Sequence, residues 1–517
     1  MEFVTTGETA KRNIGWLRIA IFAMLLLVLL PQAWHRPVDR DEGFWLNSAR
    51  LLTHNMLPYE DFPLPHAPLL PYFYSFWCNF LGWTLPAARL LSILFTITLL
   101  IVVEMTAGAR HQQSSLIALL LLGLSSAFIN WHVPIKIYAF FNLAVFCSWA
   151  AFEWARLSKS SIPMVISGVA MGLAFAVRIT TLALLILPLV FIWQIRPRRG
   201  KPLLSWLAGA GLYIVGLCIG FLPALNLYTL TWPLGYEQAW LLHQGILGEK
   251  SVLGRFYAPW ELAVQTPDAA VLLGVSLIAG VMQIVRGRGW RQGALAPLAF
   301  ILALSVVAMA PGSAVGQYFS TTIPFAAVLA APLSYDLITR ARGWWKPIWQ
   351  LALAGLMILG VFRFPWHVMN NYQDKALIGT EQVALASHAL AAMVPPDGTV
   401  VAFWPGYNAL SDRPVVRGTE LGKFTMRLGE ALPPEQWSHF RLAPDSAWEG
   451  MIARGEVAAV VAGIDSPLDN TDPKTQADPE FVRDRKDFLE LVGKHYEDQG
   501  IFGGARIYTL RQEKGGK

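Results

Sequence analysis

The amino-acid order implies a mainly α, polytopic membrane helix bundle of about eleven transmembrane helices with a C-terminal extracytoplasmic α/β domain. Composition is the first ground. Of 517 residues, 54% are apolar and 15% charged, with a mean hydropathy of +0.43, whereas soluble domains carry roughly 25% charged residues. The second ground is that the apolar residues come in blocks near the length of a bilayer crossing, about 20 residues. The third is a break in charge: residues 367–517 hold 16 Lys and Arg against 21 Asp and Glu, leaving 25 against 14 for residues 1–366. The break divides the chain into a transmembrane domain over 1–366 and a soluble α/β domain over 367–517. Basic residues of the first part are interleaved with the apolar blocks, which points to membrane topology and away from nucleic acid. Cys78, Cys147 and Cys218 fall in or beside those blocks and form neither a disulfide framework nor a zinc spacing.

The blocks lie near 14–34, 86–107, 115–131, 138–155, 163–177, 179–195, 203–223, 269–285, 293–311, 320–337 and 347–364. With the N terminus inside, the connections on that side carry 15 Lys and Arg, from Lys11 and Arg12 to Arg340, Arg342 and Lys346, against nine on the other side before the tail. That asymmetry is the positive-inside pattern, and an odd number of spans puts the tail outside. Residues 163–195 are read as two helices around Arg178, because a single helix would move the basic loops at 196–201, 286–291 and 340–346 to the outer side. The first span lacks a small-x-small cleavage site before Trp34 and reads as an uncleaved anchor.

Acids concentrate outside. Five of them, Asp39, Asp41, Glu42, Glu60 and Asp61, crowd into the first outer loop, residues 35–85. Within it, Glu42 to Thr53 has helical spacing behind an acidic start, and Pro68 to Phe80 is aromatic and apolar enough to lie along the membrane surface. Asp41 and Glu42 fit helix capping. They also fit chemistry: a carboxylate can take the proton of an attacking hydroxyl, and carboxylates with a histidine can hold a divalent cation, for which Asp41, Asp61 and His66 are the available ligands. An arginine between apolar helices, as at Arg178, is costly enough to suggest function, although it can also snorkel to the headgroups. The segment 226–268 has the aromatic and histidine character of a lid or of an interface anchor.

In the tail, helices are expected over Glu381–Val394, Trp448–Arg454 and Asp478–Tyr496, and strands over Thr399–Trp404, Glu456–Ala462 and Ala505–Leu510. Residues 466–477, rich in Asp, Pro and Thr, read as a loop. The alternation of helix and strand implies a small α/β sandwich. No nucleophile triad or phosphate loop stands out there, so the tail is expected to help recognise an acceptor.

An ordered series of short matches resembles the GT-C superfamily of polyprenyl-phosphate-sugar-dependent glycosyltransferases, including bacterial relatives of protein O-mannosyltransferases and lipid A aminoarabinose transferases. The residues are Asp41-Glu42-Gly43, Pro58-Tyr59-Glu60-Asp61-Phe62, His66-Ala67-Pro68, Ala88-Arg89, Gly172-Leu173-Ala174 with Arg178, Gln317-Tyr318-Phe319 with Pro324, and in the tail Pro395-Pro396-Asp397-Gly398, Tyr407 and Leu410 to Pro414. The chain departs from the pattern at His66-Ala67, where members often have Lys-Pro, at Gln317, where many have His or Arg, and near the fourth span, where Lys136 stands in place of an acid.

The resemblance implies inverting displacement at the outer face of a bacterial inner membrane. An acceptor hydroxyl of a lipid, glycan or protein attacks the anomeric carbon of a polyprenyl-phosphate-linked sugar, and the lipid phosphate leaves. Asp41 is the expected base, Asp39 the second choice, and Glu42 an orienting or capping group. Glu60 and Asp61 are expected at the substrate, as are Arg89, Lys136, Arg178, His66, His243, Lys250, Arg255, Gln317 and Tyr318, the cations among them beside the departing phosphate. A divalent cation is a possible cofactor, and membrane lipids are expected around the bundle. The competing expectations are a lipid-linked-sugar flippase or another multispan transporter, a glycan polymerase or ligase, and a scaffold without activity. A transporter would favour internal repeats and charges near the midplane; no repeat is seen, and the acids cluster outside.

Overall fold

In hydrocarbon a backbone must satisfy its own hydrogen bonds, which makes helices of the long apolar stretches. The computed structural model describes residues 3–195, 201–242, 255, 257–285, 293–309 and 315–340 and, with interruptions, 343–355 and 378–511. The helices before the tail are α1 (Phe3–Leu29), α2 (Gln32–His35), α3 (Arg40–Thr53), α4 (Leu69–Leu81), α5 (Leu85–Arg110), α6 (Ser115–Gly123), α7 (Ser126–His132), α8 (Ile137–Ser158), α9 (Met164–Val177), α10 (Leu187–Val190), α11 (Pro202–Leu230), α12 (Leu234–Tyr236), α13 (Tyr257–Gln265), α14 (Pro267–Val285), α15 (Leu295–Met309) and α16 (Ile323–Arg340).

Six described helical segments are long and apolar enough to cross a membrane, and a seventh is a pair, Gln112–Gly123 with Ser126–His132, bent by 61°. Three of the expected spans are shorter apolar helices: Met164–Val177, Ile179–Gln194 and Leu295–Met309. The eleventh, 347–364, lies mostly outside the described residues. The block 163–195 breaks at Arg178, whose backbone turns extended (φ −144°, ψ 113°) and ends α9. At the bend between α6 and α7, the buried Asp268 carboxylate accepts from the Ser126 backbone N–H at 2.7 Å and from its hydroxyl, satisfying donors that a helix start leaves open.

Backbone approach fixes α9 on α11. A Cβ built on Gly168 or Gly172 would fall 2.0 or 2.4 Å from carbonyl oxygens of Tyr213 or Leu217, and one on Gly216 or Gly220 would fall 2.1 or 2.2 Å from those of Val165 or Val169. The spacing is small-xxx-small on both helices, the arrangement by which membrane helices gain close packing without a hydrophobic driving force.

The tail folds as α17 (Thr380–Met393), β1 (Val400–Ala402), α18 (Gly406–Ser411), α19 (Pro434–Trp437), α20 (Asp445–Ala453), β2 (Ala459–Ala462), α21 (Pro479–His495), β3 (Tyr496–Phe502) and β4 (Ala505–Leu510). The sheet order is β1-β2-β4-β3. β1 runs parallel to β2, with Val400 opposite Ala459, and β4 is antiparallel to both neighbours. Side chains alternate across it. Val400, Ala402, Ala459, Val461, Ala505 and Ile507 join one core with Val383, Ala386 and Leu390 of α17, and that core continues into the bundle. Val401, Val460, Ala462 and Tyr508 face a second core with Trp448, Ile452, Phe488 and Val492 of α20 and α21. The two expected strands around 399–404 and 456–462 shorten to three and four residues. β3 was not expected: its sequence YEDQGIF lacks the apolar alternation of a half-buried strand, because it is an edge pairing only with β4.

Candidate active site

The loop after the first span is organised around a helix start. Asp39 is the N-cap of α3: its side chain accepts from the Asp41 N–H at 3.0 Å, and the Glu42 carboxylate accepts from the Asp39 N–H at 2.8 Å. This reciprocal cap fixes the direction in which Asp41, the second residue of the helix, leaves the backbone. Glu42 points the other way, into the protein. It forms an ion pair with Arg89 of α5 in which both side chains are 0% exposed (2.6 Å).

Arg89 is a structural hub. Its Nε and Nη2 donate to the two Glu42 oxygens at 2.8 and 2.6 Å, Nη1 donates to the Arg36 carbonyl at 2.9 Å and to Thr380 Oγ1 at 2.9 Å, and Nη2 also reaches the Pro37 carbonyl at 3.2 Å. A guanidinium has five N–H donors, and here none is left for a ligand. Expected at the substrate, Arg89 instead ties α5, the 36–37 turn, α3 and the tail helix α17 together. Glu42 likewise faces no cavity; its Oε1 also accepts from the Ile135 N–H at 3.1 Å, which steadies the residues before Lys136.

Lys136 closes the site. Its Nζ is 2.9 Å from Asp39 Oδ1 and 2.9 Å from Asp41 Oδ2, and donates to Gln317 Oε1 at 3.5 Å. Burial opposes the charge on both Asp39 and Lys136, but their attraction outweighs it. The Asp39 carboxyl is held below the usual carboxylate range by Lys136, with Arg36 and the Asp41 N–H helping, and the Lys136 ammonium is pushed above its ordinary value by the two carboxylates.

These groups border a cavity of about 510 Å³. Of the residues singled out in the sequence, Asp41, His66, Lys136, Arg178, Gln317 and Tyr318 line it, and Asp39 stands directly behind. Arg178 sits where α9 ends. It is 8% exposed and rests on two ring faces, Tyr318 at 5.1 Å and Phe141 at 5.4 Å, with no carboxylate paired to it among the described residues. His66 stacks on Trp45, centroids 5.0 Å apart. The remaining wall was not singled out in the sequence. It includes Arg40, Phe44, Trp45 and Tyr138, and from the tail Phe403, Pro405, Leu421, Phe424 and Asp465. Arg40 pairs with Asp465 at 3.2 Å across the junction. Tyr138 could have been noticed two residues after Lys136; the tail residues carry no local signal.

Other expected residues lie elsewhere. The Glu60 side chain is exposed, and its carbonyl accepts from Arg441 Nε at 2.8 Å. The Asp61 carboxylate accepts from the Leu57 N–H at 2.7 Å within a turn. Arg255 is half-buried and does not line the cavity. His243 and Lys250 lie outside the described residues. The trio Asp41, Asp61 and His66 therefore does not assemble as a cation site, and no three His, Cys, Asp or Glu side chains converge as a metal ion would require among the described residues.

The tail roofs the cavity through specific bonds to α3 and its loop. Trp404 Nε1 donates to the Arg40 carbonyl at 3.0 Å, Asn47 Nδ2 donates to the Glu420 carbonyl at 2.6 Å, and Arg50 Nε donates to Asp412 at 2.8 Å. Gly43 accounts for the closeness: a Cβ there would lie 2.5 Å from the Trp404 indole. On the other side, buried Gln238 clips the loop by accepting from the Leu64 N–H and donating to the Tyr59 carbonyl, each at 2.9 Å.

No family model and no curated protein matches the sequence. Solved structures do match. ArnT from Cupriavidus metallidurans bound to undecaprenyl phosphate aligns over 97% of this chain and 99% of its own, with a TM-score of 0.64 at 14% identity. The archaeal oligosaccharyltransferase AglB from Archaeoglobus fulgidus, in complex with an inhibitory peptide and a dolichol-phosphate, aligns over 96% of this chain and 74% of its own, with a TM-score of 0.54 at 11% identity. The arabinofuranosyltransferase AftD from Mycobacteria aligns over 96% of this chain and 40% of its own, with a TM-score of 0.52 at 16% identity. Since the alignments run through both the bundle and the C-terminal sheet, the chain has the fold of those proteins, a GT-C-like membrane helix bundle with an appended α/β domain.

Proposed function

We propose that the protein is an integral-membrane glycosyltransferase that moves a sugar from a polyprenyl-phosphate donor to a lipid, glycan or protein acceptor. One observation carries the reading: the Arg178 guanidinium, with no carboxylate partner among the described residues, borders the same cavity as Asp41. A buried cation with no carboxylate paired to it is suited to bind an anion, and a carboxylate bordering the same cavity is suited to accept a proton. The polyprenyl phosphates bound by ArnT and AglB supply the matching anion class.

In this reading the acceptor oxygen forms a bond to the anomeric carbon while the carbon–oxygen bond to the phosphate breaks, inverting the configuration. The electron pair leaves with the phosphate, whose growing charge Arg178 offsets. The hydroxyl proton passes to Asp41 Oδ1, the oxygen not held by Lys136. Tyr318 keeps Arg178 in place, and Gln317 and His66 contact the sugar or the acceptor. Phe403, Leu421, Phe424 and Asp465 give the tail, residues 367–517, a part in acceptor recognition. The cation asymmetry between the two sides supports a cytoplasmic N terminus with the tail on the opposite face. The short cytoplasmic loops and the likeness to ArnT from Cupriavidus metallidurans support a bacterial inner membrane, which makes that face periplasmic.

Two substitutions test the assignment in purified protein with a polyprenyl-phosphate-linked donor. Asp41→Asn should lower transfer by at least about 10³-fold and leave the affinity for undecaprenyl phosphate within about threefold, as expected for loss of a proton acceptor. Arg178→Ala should weaken that affinity by roughly tenfold or more, an anion contact being worth at least about 1.4 kcal/mol. Transfer retained by Asp41→Asn sinks the base; unchanged donor affinity in Arg178→Ala returns the arginine to a structural role.

A further inference from the structure

Two carboxylates side by side at a transferase site ordinarily require a counter-cation, and here the chain supplies one. The Lys136 ammonium lies between Asp39 Oδ1 and Asp41 Oδ2 at 2.9 Å each, with Gln317 Oε1 as a third acceptor at 3.5 Å. An ammonium has three N–H donors, and these three oxygens use all of them. The side chain is 5% exposed and lies over the Trp131 ring at 5.2 Å.

The lysine is also held in place from its backbone. Ser92 Oγ donates to the Pro134 carbonyl at 3.0 Å, Thr96 Oγ1 donates to the His132 carbonyl at 3.1 Å, and the Ile135 N–H donates to Glu42. Helix α5 and the start of α3 thus aim Lys136 and Asp41 at one another as a unit. A divalent cation such as Mg²⁺ needs about six oxygens near 2.1 Å. To reach both carboxylates it would have to displace a buried ammonium, and the other acids of the loop do not join them: Glu42 is committed to Arg89, Asp61 accepts from the Leu57 N–H, and exposed Glu60 does not line the cavity.

We propose that Lys136 is the resident cation of this site, standing between Asp39 and Asp41 where a divalent metal would otherwise bridge them, so that the site neither binds nor needs one. Lys136 offsets one of the two negative charges and occupies Asp41 Oδ2, which leaves Oδ1 as the oxygen to accept a proton. The statement about catalysis rests on the transferase reading above; the statement about the cation does not.

The test uses the full-length protein in lipid nanodiscs, with Mn²⁺ binding followed by electron paramagnetic resonance alongside transfer. Wild-type protein should bind no Mn²⁺ that Asp41→Asn removes, and excess EDTA should leave transfer within about twofold. Lys136→Ala should gain Mn²⁺ affinity by at least tenfold over wild type, and the double variant Lys136→Ala/Asp41→Asn should lose that gain. Lys136→Met, closer in volume, replaces the alanine variant if that one does not fold. Wild-type Mn²⁺ binding that depends on Asp41, EDTA inactivation reversed by Mg²⁺, or a folded Lys136 variant with no gained affinity would each overturn the proposal. Should wild-type protein transfer no sugar from any donor, the transferase reading fails while the Mn²⁺ titrations still decide the role of the lysine.

Discussion

Glu420 is a residue whose charge works against the fold. It is 1% exposed, with both carboxyl oxygens 2.9 Å from the Gly418 N–H, and burial pushes its carboxyl up to about 7 from 4.5 despite that bond and nearby Arg417. The folded chain therefore keeps a proton that the unfolded chain has released between those two values. Its contribution is fully present below about 4.5 and is lost as the pH rises through 7. Glu420→Gln, neutral at every pH, should raise the thermal midpoint at pH 8 by the equivalent of up to roughly 3 kcal/mol and barely change it at pH 5. Midpoints measured in detergent at both pH values test this; an equal shift at both would exclude the carboxyl as the cause. Asp41 and Arg178 were legible in the sequence because charge beside an apolar span is costly wherever it ends up. Arg89 was not, since one letter cannot distinguish a guanidinium that meets a ligand from one saturated by Glu42, Arg36, Pro37 and Thr380.

At the scale of elements, the position of Arg178 depends on how closely α9 approaches α11. Gly216→Val would put a branched side chain where a Cβ alone lies 2.1 Å from the Val165 carbonyl oxygen, so the helices must separate. Overpacking of this kind costs about 1–3 kcal/mol or more, and because Arg178 follows the last turn of α9, affinity for undecaprenyl phosphate should fall with it. Gly211 lies on the same helix with nothing within 4 Å. There Gly→Ala should be neutral or stabilising by about 0.5–1 kcal/mol through helix propensity. Thermal midpoints and lipid affinities of the two variants separate the contact from propensity; equal behaviour would refute it. The long apolar helices were legible from period and length, and so were α3, α17 and β4. The close contact of α9 with α11 was missed, because a glycine in an apolar run reads as mere tolerance until its partner is known. β3 was missed for a related reason: Glu497 and Asp498 on an edge strand look like the continuation of a charged helix.

For the whole molecule, the charge boundary near residue 366 marks a change of solvent more than a boundary between independent units. One core runs from the bundle through α17 and one face of the sheet, and the cavity takes Asp41 and Lys136 from one side of that boundary and Leu421, Phe424 and Asp465 from the other. Gly43 controls the fit. On an exposed helix, Gly→Ala would add about 0.5–1 kcal/mol of stability. Here the new methyl would lie 2.5 Å from the Trp404 indole and 2.9 Å from the Gly406 backbone nitrogen, and the indole is anchored by its bond to the Arg40 carbonyl. The tail must therefore shift off α3, disturbing Phe403 and Pro405 in the cavity wall. Gly43→Ala should lower the thermal midpoint against the propensity trend. It should also raise the acceptor KM severalfold with the affinity for undecaprenyl phosphate unchanged, because Arg178 lies on the bundle side. A rise in thermal midpoint with normal acceptor KM would mean that the tail rides loosely on the loop and that the roof of the cavity is no part of the acceptor site.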